Sequence, residues 1–253
     1  MASKPMDSFA ACLDGVKSAV DAVCGPKKRP IIIIFGPPGA GKGSVSPHIE
    51  KKLNVVQLST GDMLRAAVAK GTETGKKAKA IMDSGGLVSD DIVVGIIRER
   101  IQEDDCKYGF LLDGFPRTVA QAKQLDSMLA AKGEGVTKII QLDVKDSVLE
   151  ERICGRWIHK ASGRSYHVVY APPKCFIGKK PHEASPTTMR DDETGEPLYQ
   201  RPDDTKAALP KRLEAYHKET APILDHYKAK SITFKVDAGQ DMRIVQEKTL
   251  ALL

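Results

Sequence analysis

The stretch PIIIIFGPPGAGKGSVSPHIEKKL, residues 30–53, sets four consecutive isoleucines directly before a loop with four glycines in eight positions. The run Ile31–Phe35 is short, apolar and β-branched, which is typical of a strand buried inside a parallel sheet. The residues after the loop predict a helix. In such a strand–loop–helix arrangement, glycines let successive N–H groups turn inward around an anion, and the helix N-terminus adds partial positive charge. The stretch therefore predicts a phosphate-binding loop.

The loop carries the pattern G-x-x-x-x-G-K from Gly36 to Lys42. In this pattern the lysine reaches the β- and γ-phosphates of a nucleoside triphosphate. The general pattern has Ser or Thr directly after the lysine, whereas here Gly43 intervenes and Ser44 follows. The resulting G-K-G-S order resembles that of nucleoside monophosphate kinases, and it points away from GTPases and motor ATPases.

Further apolar runs alternate with helix-length segments along the rest of the chain. This alternation favours an α/β fold, in which a parallel sheet is flanked by helices on both faces. The five expected strands are Ile31–Phe35, Val55–Leu58, Phe110–Leu112, Lys138–Asp143 and Ile232–Val236. Residues 157–200 interrupt the pattern with five prolines and scattered aromatics, and they are too long for an ordinary connection. We expect them to form an inserted small β domain or lid.

Capping residues predict where several helices begin. The sequence Ser59-Thr60-Gly61-Asp62 supplies N-cap chemistry for the helix that follows. Another helix is expected from Asp90 to Gln102, because its apolar residues recur on one face. The acidic pair Asp203–Asp204 is expected to cap a long helix through Tyr216, with a break or kink at Pro222.

Composition excludes some classes of protein and leaves others open. The 253-residue chain is 41% hydrophobic and 28% charged, as in ordinary globular proteins, and no apolar run approaches the roughly 18 residues of a membrane span. The net charge of +6 fits either nucleic-acid binding or a site that clamps several phosphates. Only 5% of the residues are aromatic, so a surface on which nucleic-acid bases stack is not expected.

The five cysteines are an odd number, and no two of them form a C-x-x-C pair. No secretory signal precedes them, so neither a disulfide framework nor a zinc knuckle is expected. These observations favour a reducing compartment, and the expected location is the cytoplasm.

Residues 1–29 form a separate N-terminal extension, in which apolar residues recur at alternating steps of three and four from Met6 to Val23. That spacing predicts an amphipathic helix. The lack of arginine before Arg29 argues against a mitochondrial transit peptide, and alanine at the second position excludes myristoylation. Two interpretations stay open: a helix that packs on its own domain, or a docking or targeting helix that directs the protein elsewhere.

Six further motifs, in order along the chain, carry a family resemblance. Over roughly residues 30–245 the chain resembles adenylate kinases of the long-lid form, in the segments LSTGDMLRAAV (58–68), GGLVSDDIV (85–93), GFLLDGFPRTVAQA (109–122), ERICGRWIHKASGRSYHVVYAPPK (151–174), RDDETGEPL (190–198) and RPDDTKAALPKRLEAYH (201–217). The resemblance implies reversible transfer of a phosphoryl group from Mg·ATP to AMP, giving two ADP.

The same resemblance implies a P-loop NTPase-like fold and a division of the adenylate kinase domain, residues 30–253, into three parts. The core would comprise residues 30–59, 89–156 and 201–253. An NMP-binding helical segment would span residues 60–88, and the lid would span residues 157–200. Closure of the lid is expected to exclude water, so that the phosphoryl group passes to AMP and not to solvent.

On the donor side, the resemblance implies that the glycine-rich loop and Lys42 hold the ATP phosphates. Arg152 is expected to reach the adenine face and Arg156 the phosphates, because guanidinium stays charged and binds phosphate oxygens bidentately. The implied ATP-binding set is Gly39, Ala40, Gly41, Lys42, Gly43, Ser44, Arg152, Arg156, Ser165, Tyr166 and Gln240.

On the acceptor side, further arginines are implied to grip the AMP phosphate and the transferred group. Thr60 is implied to favour AMP, and Gln121 to read the adenine edge. The implied AMP-binding set is Thr60, Arg65, Gly86, Leu87, Val88, Gly114, Phe115, Pro116, Arg117, Gln121, Arg201 and Arg212. The residues expected to be catalytic are Lys42, Arg117, Arg152, Arg156, Arg201 and Arg212.

The resemblance also bears on metals. Asp113, at the end of the third strand, is expected to hold Mg²⁺ through water, since Mg²⁺ keeps much of its hydration shell. Asp203 and Asp204 resemble paired acids near the metal waters and the lid. Zinc-bearing relatives have four cysteines in the lid, whereas this lid has only Cys175. A hydrogen-bonded quartet is expected in place of zinc, made of His159, Ser162, Asp191 and Thr194.

Three other functions remain as alternatives. A GTP:AMP kinase is disfavoured by Thr60 and the motif around it. A nucleotide-binding scaffold, tethered through residues 1–29, is disfavoured by the intact arginines and Lys42. A basic nucleic-acid binder is disfavoured by the low aromatic content. The expected partners are therefore ATP, AMP and ADP, with no nucleic acid and no membrane span, and the resemblance implies a monomer.

Overall fold

The computed structural model describes residues 29–83 and 86–253. Nearly all of the predicted N-terminal helix lies outside these residues. Within them, one parallel sheet carries helices on both faces, and a small antiparallel sheet stands apart from it. The predicted α/β fold is confirmed.

Every expected strand is present, with bounds that differ by at most one residue. The parallel sheet has the order β2-β3-β1-β4-β7, and its strands are β1 (Ile31–Phe35), β2 (Val56–Ser59), β3 (Phe110–Asp113), β4 (Lys138–Asp143) and β7 (Thr233–Asp237). Two polar residues extend the strands beyond their apolar runs, because Ser59 and Asp113 pair with each other at the carboxyl ends of β2 and β3. This polar end of the sheet faces the site described below.

The isoleucine run forms the central strand, and its alternating side chains support both layers of the core. Ile31, Ile33 and Phe35 pack into one hydrophobic cluster, whereas Ile32 and Ile34 pack into the other. All five side chains are buried. Because successive strand residues point to opposite faces, a continuous apolar run is what a sheet covered on both sides requires.

The described residues form nine α-helices: α1 (Lys42–Leu53), α2 (Thr60–Ala69), α3 (Glu73–Asp83), α4 (Asp90–Arg100), α5 (Val119–Ala130), α6 (Leu149–Cys154), α7 (Leu209–Ala215), α8 (Ile223–Lys228) and α9 (Met242–Ala251). The Ser59 side chain caps α2 as predicted, accepting a hydrogen bond from Asp62 N at 3.3 Å. Among these helices, none is both long and apolar enough to cross a membrane.

The predicted cap at Asp203–Asp204 is wrong. The helix starts later, at Leu209, and it has no side-chain cap. The two aspartates instead bind arginines, which offer charged hydrogen-bond donors. The expected break at Pro222 is confirmed, because a π-helical turn over Tyr216–Thr220 ends α7 and Pro222 precedes α8.

Strands β5 (Arg156–Ile158) and β6 (Ser165–His167) pair antiparallel within the predicted lid. Four buried side chains form a separate small core there: Trp157, Phe176, Met189 and Leu198. Two of them, Phe176 and Met189, come from residues 174–190. That stretch therefore supplies part of the apolar interior of the lid. The exact domain bounds stay a prediction.

Candidate active site

The glycine-rich loop joins β1 to α1 with a backbone that only glycine adopts without strain. Gly39 and Gly41 have φ angles of 83° and 94°. A Cβ atom at Gly41 would lie 2.6 Å from Met242 Cε, the movable end of a side chain, so the positive φ is the main reason for glycine here. The loop is thus fixed by its backbone conformation, as an anion nest requires. Gly43 and Ser44 begin helix α1.

Lys42 folds over this loop. Its Nζ donates to the main-chain oxygens of Gly36 at 2.6 Å and Pro37 at 2.9 Å. Burial, together with Arg117 and other arginines, lowers the pKa of Lys42 to about 8, although Asp113 opposes the shift. An anion bound here would relieve that repulsion and favour the charged lysine.

Arg156 and Arg212 share one aspartate at the entrance to the lid. Asp204 accepts from Arg156 Nε at 2.8 Å and again from its Nη2, and it accepts from Arg212 Nη1 at 3.1 Å. Arg212 also contacts Asp203, whose side chain lies 3.1 Å away. Burial acts to lower the pKa of Arg156, but the Asp204 carboxylate outweighs it and the pKa is raised. Arg156 and Asp204 are thus in contact although 48 residues separate them in the sequence.

A second aspartate joins two arginines of the predicted acceptor side. Asp62 Oδ1 accepts from Arg65 Nη2 at 2.5 Å and from Arg201 Nη2 at 3.1 Å. Burial, together with nearby Arg65 and Arg156, lowers the pKa of Arg201 to about 10. The Arg201 Nε atom is buried with no hydrogen-bond partner among the described residues. An unpaired donor on a destabilised cation suits an anionic ligand.

Arg117 lies behind the loop that follows β3. Its Nε donates to Gly114 O at 2.8 Å, and the Thr60 hydroxyl donates to the same oxygen at 2.8 Å. Burial, then Arg212, lowers the pKa of Arg117. Thr60 and the residues Gly114–Arg117 are therefore brought together as the resemblance implied. The Phe115–Pro116 peptide in this loop is cis.

Arg152 and Gln240 are both found at the segment that joins β7 to α9. Arg152 Nη1 donates to Ala238 O at 2.9 Å. Gln240 Nε2 donates to Asp237 at 2.7 Å, and its Oε1 accepts from Lys248 at 2.8 Å. Arg152 thus lies against this segment, and Gln240 belongs to it.

The predicted metal residue stands beside the lysine. Asp113 Oδ2 accepts from Gln57 Nε2 at 3.1 Å, and among the described residues no hydrogen-bond partner is found for Oδ1. Among all the residues that the structure describes, no group of three or more Asp, Glu, His or Cys side chains could hold a metal ion. A lone carboxylate with one open oxygen fits Mg²⁺ that takes most ligands from water and phosphate, and it does not fit a fully protein-held cation.

The predicted base-binding segment lines a cavity of about 460 Å³. Gly86, Leu87 and Val88 form one wall together with Asp90 and Thr118, and α7 forms the opposite wall. Gln121 does not reach this wall, since its side chain is 1% exposed. It donates to Asp90 Oδ1 at 2.7 Å.

The expected quartet in the lid is hydrogen-bonded around His159. The ring Nδ1 lies 2.7 Å from Ser162 Oγ, and Nε2 lies 3.3 Å from Thr194 Oγ1. Glu196 Oε2 joins it at 2.7 Å from Nε2. Thr194 Oγ1 donates to Asp191 Oδ2 at 3.0 Å, which connects the fourth member.

Asp191 also binds two residues that the sequence did not connect with it. Arg164 donates to both carboxylate oxygens at 2.8 and 2.6 Å, and the Tyr166 hydroxyl donates at 3.0 Å. The hydrogen bonds from Arg164 hold the pKa of Asp191 well below its usual range. Tyr166, predicted to contact ATP, thus has its hydroxyl engaged within the lid, and its neighbour Ser165 begins β6.

Sequence reasoning missed Asp62, the pairing of Asp203 and Asp204 with arginines, and some polar partners. Asp62 belongs to the STGD motif, so that motif contained a signal. Partners such as Gln57 and Glu196 show no pattern, because they meet Asp113 and His159 only through folding.

Comparison with known proteins supports the same interpretation. The family model described as adenylate kinase matches residues 34–232. Adenylate kinase 4 of Oryza sativa subsp. japonica is 52% identical over 230 residues, which cover 91% of this chain and 90% of the relative. Adenylate kinase 3 of the same plant is 52% identical over 215 residues, 85% and 84% of the two chains. An adenylate kinase of Neurospora crassa is 50% identical over 222 residues, 87% and 76% of the two chains. Matches of this extent show that the chain belongs to the adenylate kinase family.

Proposed function

We propose that the protein transfers the terminal phosphoryl group of Mg·ATP to AMP, reversibly and in line, giving two ADP. The observation that carries this proposal is the crowding of cations around Lys42. Arg117, Arg156 and Arg212 lie close enough to lower its pKa. Phosphoryl transfer spreads negative charge over several oxygens, and catalysis depends mainly on positioning and electrostatic stabilisation.

On the donor side, the loop N–H groups and Lys42 bind the ATP phosphates, with Arg156 beside them and Arg152 nearer the adenine. Because Lys42 donates to Gly36 O and Pro37 O within the loop, binding of phosphate requires its Nζ to exchange at least one of these contacts. The remaining donor-side residues, Ser165, Tyr166 and Gln240, hold the nucleotide at the lid and at the β7–α9 segment.

On the acceptor side, Arg65, Arg117 and Arg201 bind the AMP phosphate. Arg201 brings an unpartnered buried Nε, which gains a hydrogen bond when an anion arrives. Arg212 lies between the two sides and stabilises the group in transfer. Thr60 and Gln121 act on the base side, together with the backbone of residues 86–88.

Mg²⁺ belongs beside Asp113, which would hold it through water with the open carboxylate oxygen. When bound, the ion neutralises phosphate charge and orients the transferred group. Gln57 keeps the Asp113 carboxylate in place through its hydrogen bond of 3.1 Å. We expect removal of Mg²⁺ by a chelator to abolish transfer while binding of free AMP persists.

The first test is the initial rate of ADP formation with Mg·ATP or Mg·GTP against AMP, GMP, CMP and UMP. We expect turnover with ATP plus AMP, and a loss of at least about 100-fold in Lys42→Met, since one preorganised donor contributes that much. Lys51→Met is the matched control, because Lys51 is an exposed lysine in the same helix. Its rate should equal that of the wild type.

The other outcomes separate the alternatives. A preference for GTP would favour a GTP:AMP kinase and would keep the arginine roles. Nucleotide binding without turnover for any pair would contradict the enzyme assignment and favour a scaffold. Equal loss in both lysine variants would contradict the specific role of Lys42.

We also propose a cytoplasmic location and a monomeric state. The free thiols Cys106, Cys154 and Cys175 support a reducing compartment. Microscopy of a tagged protein, with and without residues 1–29, tests the location and the targeting alternative together. Sedimentation velocity tests the monomer.

A further inference from the structure

Thr220, the last residue of the π-helical turn Tyr216–Thr220, has no role in the mechanism above, although it is buried and only 9% exposed. Its hydroxyl donates to Arg117 O at 2.8 Å, across a separation of 103 residues in the sequence. Among the described residues, no other hydrogen bond to this oxygen is found. A buried threonine thus holds the main chain of an arginine in the proposed acceptor site.

The π turn explains why the hydroxyl bonds outside its own helix. In a regular helix a threonine hydroxyl often bonds to the carbonyl four residues earlier, which for Thr220 is Tyr216 O. Here Tyr216 O accepts from Ala221 N at 2.8 Å, and this five-residue spacing defines a π turn. The turn therefore engages the nearest local acceptor, and the Thr220 hydroxyl bonds to Arg117 instead. Single π turns of this kind are frequent at functional sites.

The main chain of Arg117 is held from two sides. Its N–H donates to Gln121 Oε1 at 2.7 Å, and its carbonyl oxygen accepts from Thr220. The Arg117 Nε atom donates to Gly114 O at 2.8 Å. Among the described residues, no hydrogen bond is found for the two Nη atoms of Arg117. They are therefore the donors of Arg117 that an anionic ligand can take.

Thr220 also connects Arg117 to Arg212. Arg212 lies in α7, and α7 continues without interruption into the π turn that ends at Thr220. Burial, followed by repulsion from Arg212, lowers the pKa of Arg117. Like charges at this distance push the two guanidinium groups apart as long as no phosphate neutralises them. The hydrogen bond from Thr220 opposes that separation, because it joins the segment that carries Arg212 to the Arg117 main chain.

We propose that Thr220 is a positioning residue for phosphoryl transfer, which fixes Arg117 relative to Arg212 through its hydrogen bond to Arg117 O. The two guanidinium groups then contact the acceptor phosphate and the transferred group together. This inference rests on the proposed function, since it requires both arginines to bind phosphate. Such positioning has a large kinetic effect, because a displacement of about 1 Å in a binding group can lower a rate about 100-fold.

The test compares kcat and KM for AMP and for ATP in the wild type, Thr220→Val and Thr220→Ser. Valine keeps the shape of threonine and removes the hydroxyl, so we expect kcat/KM for AMP to fall by about 10- to 100-fold while KM for ATP stays within about twofold. Serine keeps the donor, so Thr220→Ser should retain kcat/KM for AMP within about threefold of the wild type.

Thr137→Val is the matched control for a loss of stability alone. The Thr137 hydroxyl donates to Ile31 O at 2.9 Å and accepts from Ile31 N at 3.0 Å, at the amino end of the sheet and away from the cleft. Valine there also removes hydrogen bonds. The free energy of unfolding of each variant is measured in urea. We expect Thr137→Val to be destabilised and to keep kcat/KM for AMP within about twofold.

Three results would overturn the inference. One is an unchanged kcat/KM for AMP in Thr220→Val, and another is an equal loss in Thr220→Ser. The third is an equal kinetic loss in Thr137→Val at the same loss of stability. Wild-type turnover of ATP with AMP is measured first, because its absence would contradict the proposed function. Turnover in the wild type together with any of the three results would contradict only the role of Thr220.

A second pair of variants decides the matter if Thr220→Val does not fold. Thr220→Ser and Thr220→Cys place one heavy atom at the same position, but a hydroxyl is a strong donor and a thiol is a weak one. We expect kcat/KM for AMP to be at least about fivefold lower in Thr220→Cys than in Thr220→Ser, as for one weakened hydrogen bond. Equal values would show that the hydrogen bond does not position Arg117.

Discussion

Two arginine–aspartate pairs in this molecule have nearly the same geometry and different surroundings. In the cleft, Arg156 binds both oxygens of Asp204, and in the lid, Arg164 binds both oxygens of Asp191. Both aspartate side chains are fully shielded from solvent. The arginine in the lid has a second acid, Glu193, at 2.5 Å, whereas the arginine in the cleft shares Asp204 with Arg212.

The balance of charge around each pair distinguishes their roles. In the lid, Arg164 is matched by more than one carboxylate and neighbouring groups donate further hydrogen bonds to Asp191, so the charge of this arginine is balanced within the lid. In the cleft, cations exceed acids, and the pKa values of Lys42, Arg117 and Arg201 are lowered as a result of burial and mutual repulsion. A salt bridge is structural where charges balance, and it prepares a binding site where they do not.

The largest expected effect compares the two arginines directly. Arg156→Gln should lower kcat by about 1000-fold, because it removes the positive charge that stabilises the transferred phosphoryl group. Arg164→Gln should lower kcat by less than about tenfold, since it only loosens the lid. Steady-state rates with saturating ATP and AMP measure both. A comparable loss in the two variants would erase the distinction.

The pH dependence of kcat/KM, which reports on the free cleft, should differ from that of kcat, which reports on the cleft with nucleotides bound. Lys42 of the free protein has a pKa of about 8, so kcat/KM should fall about tenfold per pH unit above that value. Bound phosphates raise the pKa of Lys42, so kcat should hold to higher pH. Matching profiles for kcat and kcat/KM would contradict this assignment.

The same shift has a consequence for stability with a definite sign. The pKa of Lys42 is lower in the folded protein, about 8, than the ordinary value of 10.5. Between these values the unfolded chain binds more protons, so the contribution of Lys42 to the free energy of unfolding rises with pH. Urea titrations at pH 8 and pH 10 should show this rise in the wild type, relative to Lys42→Met.

A smaller effect concerns the two aspartates. Asp191→Asn should speed hydrogen exchange of lid amides by about tenfold, because it weakens hydrogen bonds that connect several lid residues. Asp204→Asn should instead lower kcat and leave lid exchange nearly unchanged. Exchange measured by mass spectrometry on peptides from residues 157–200 checks both. Faster lid exchange in Asp204→Asn alone would contradict the comparison.

The smallest expected effect distinguishes the thiols of the two regions. Cys106 lies in the core and burial raises its pKa to about 11, whereas Cys175 is exposed on the lid. A thiol reagent should label Cys175 in the native protein and Cys106 only after unfolding. Labelled protein should keep its activity within about twofold. Rapid labelling of Cys106 would mean that the core opens more readily than its packing indicates.

The cleft and the lid also differ in how much the sequence can predict. The strands are predictable almost to the residue, because burial on both faces imposes a continuous apolar run. The loop residues follow from a local pattern of glycines and lysine. Contacts such as Asp204 with Arg156 cannot be predicted, since an aspartate has the same local signature whether it caps a helix or pairs with a distant arginine.

Gln121 illustrates the same limit in the site. The motif predicts that it acts at the acceptor base, but its burial behind Asp90 depends on the packing of α4 against α5. The lid core is equally difficult to predict from the sequence, because Phe176 and Met189 lie in a stretch without hydrophobic periodicity. A sequence pattern shows only what repeats along the chain, whereas these residues contact partners that are distant in sequence.

A π-helical turn lies between two short helices, α7 and α8, which have different roles. Its Ala221 N bonds to Tyr216 O, five residues back, and Thr220 within it donates to Arg117 O at 2.8 Å. One added residue rotates everything beyond it by about 100°. Before the turn, Arg212 points to the cleft, and after it, Tyr227 is buried in the core. Deleting a single residue here would rotate the end that carries Arg212 relative to the buried end, so the number of residues in this turn helps to set where Arg212 points.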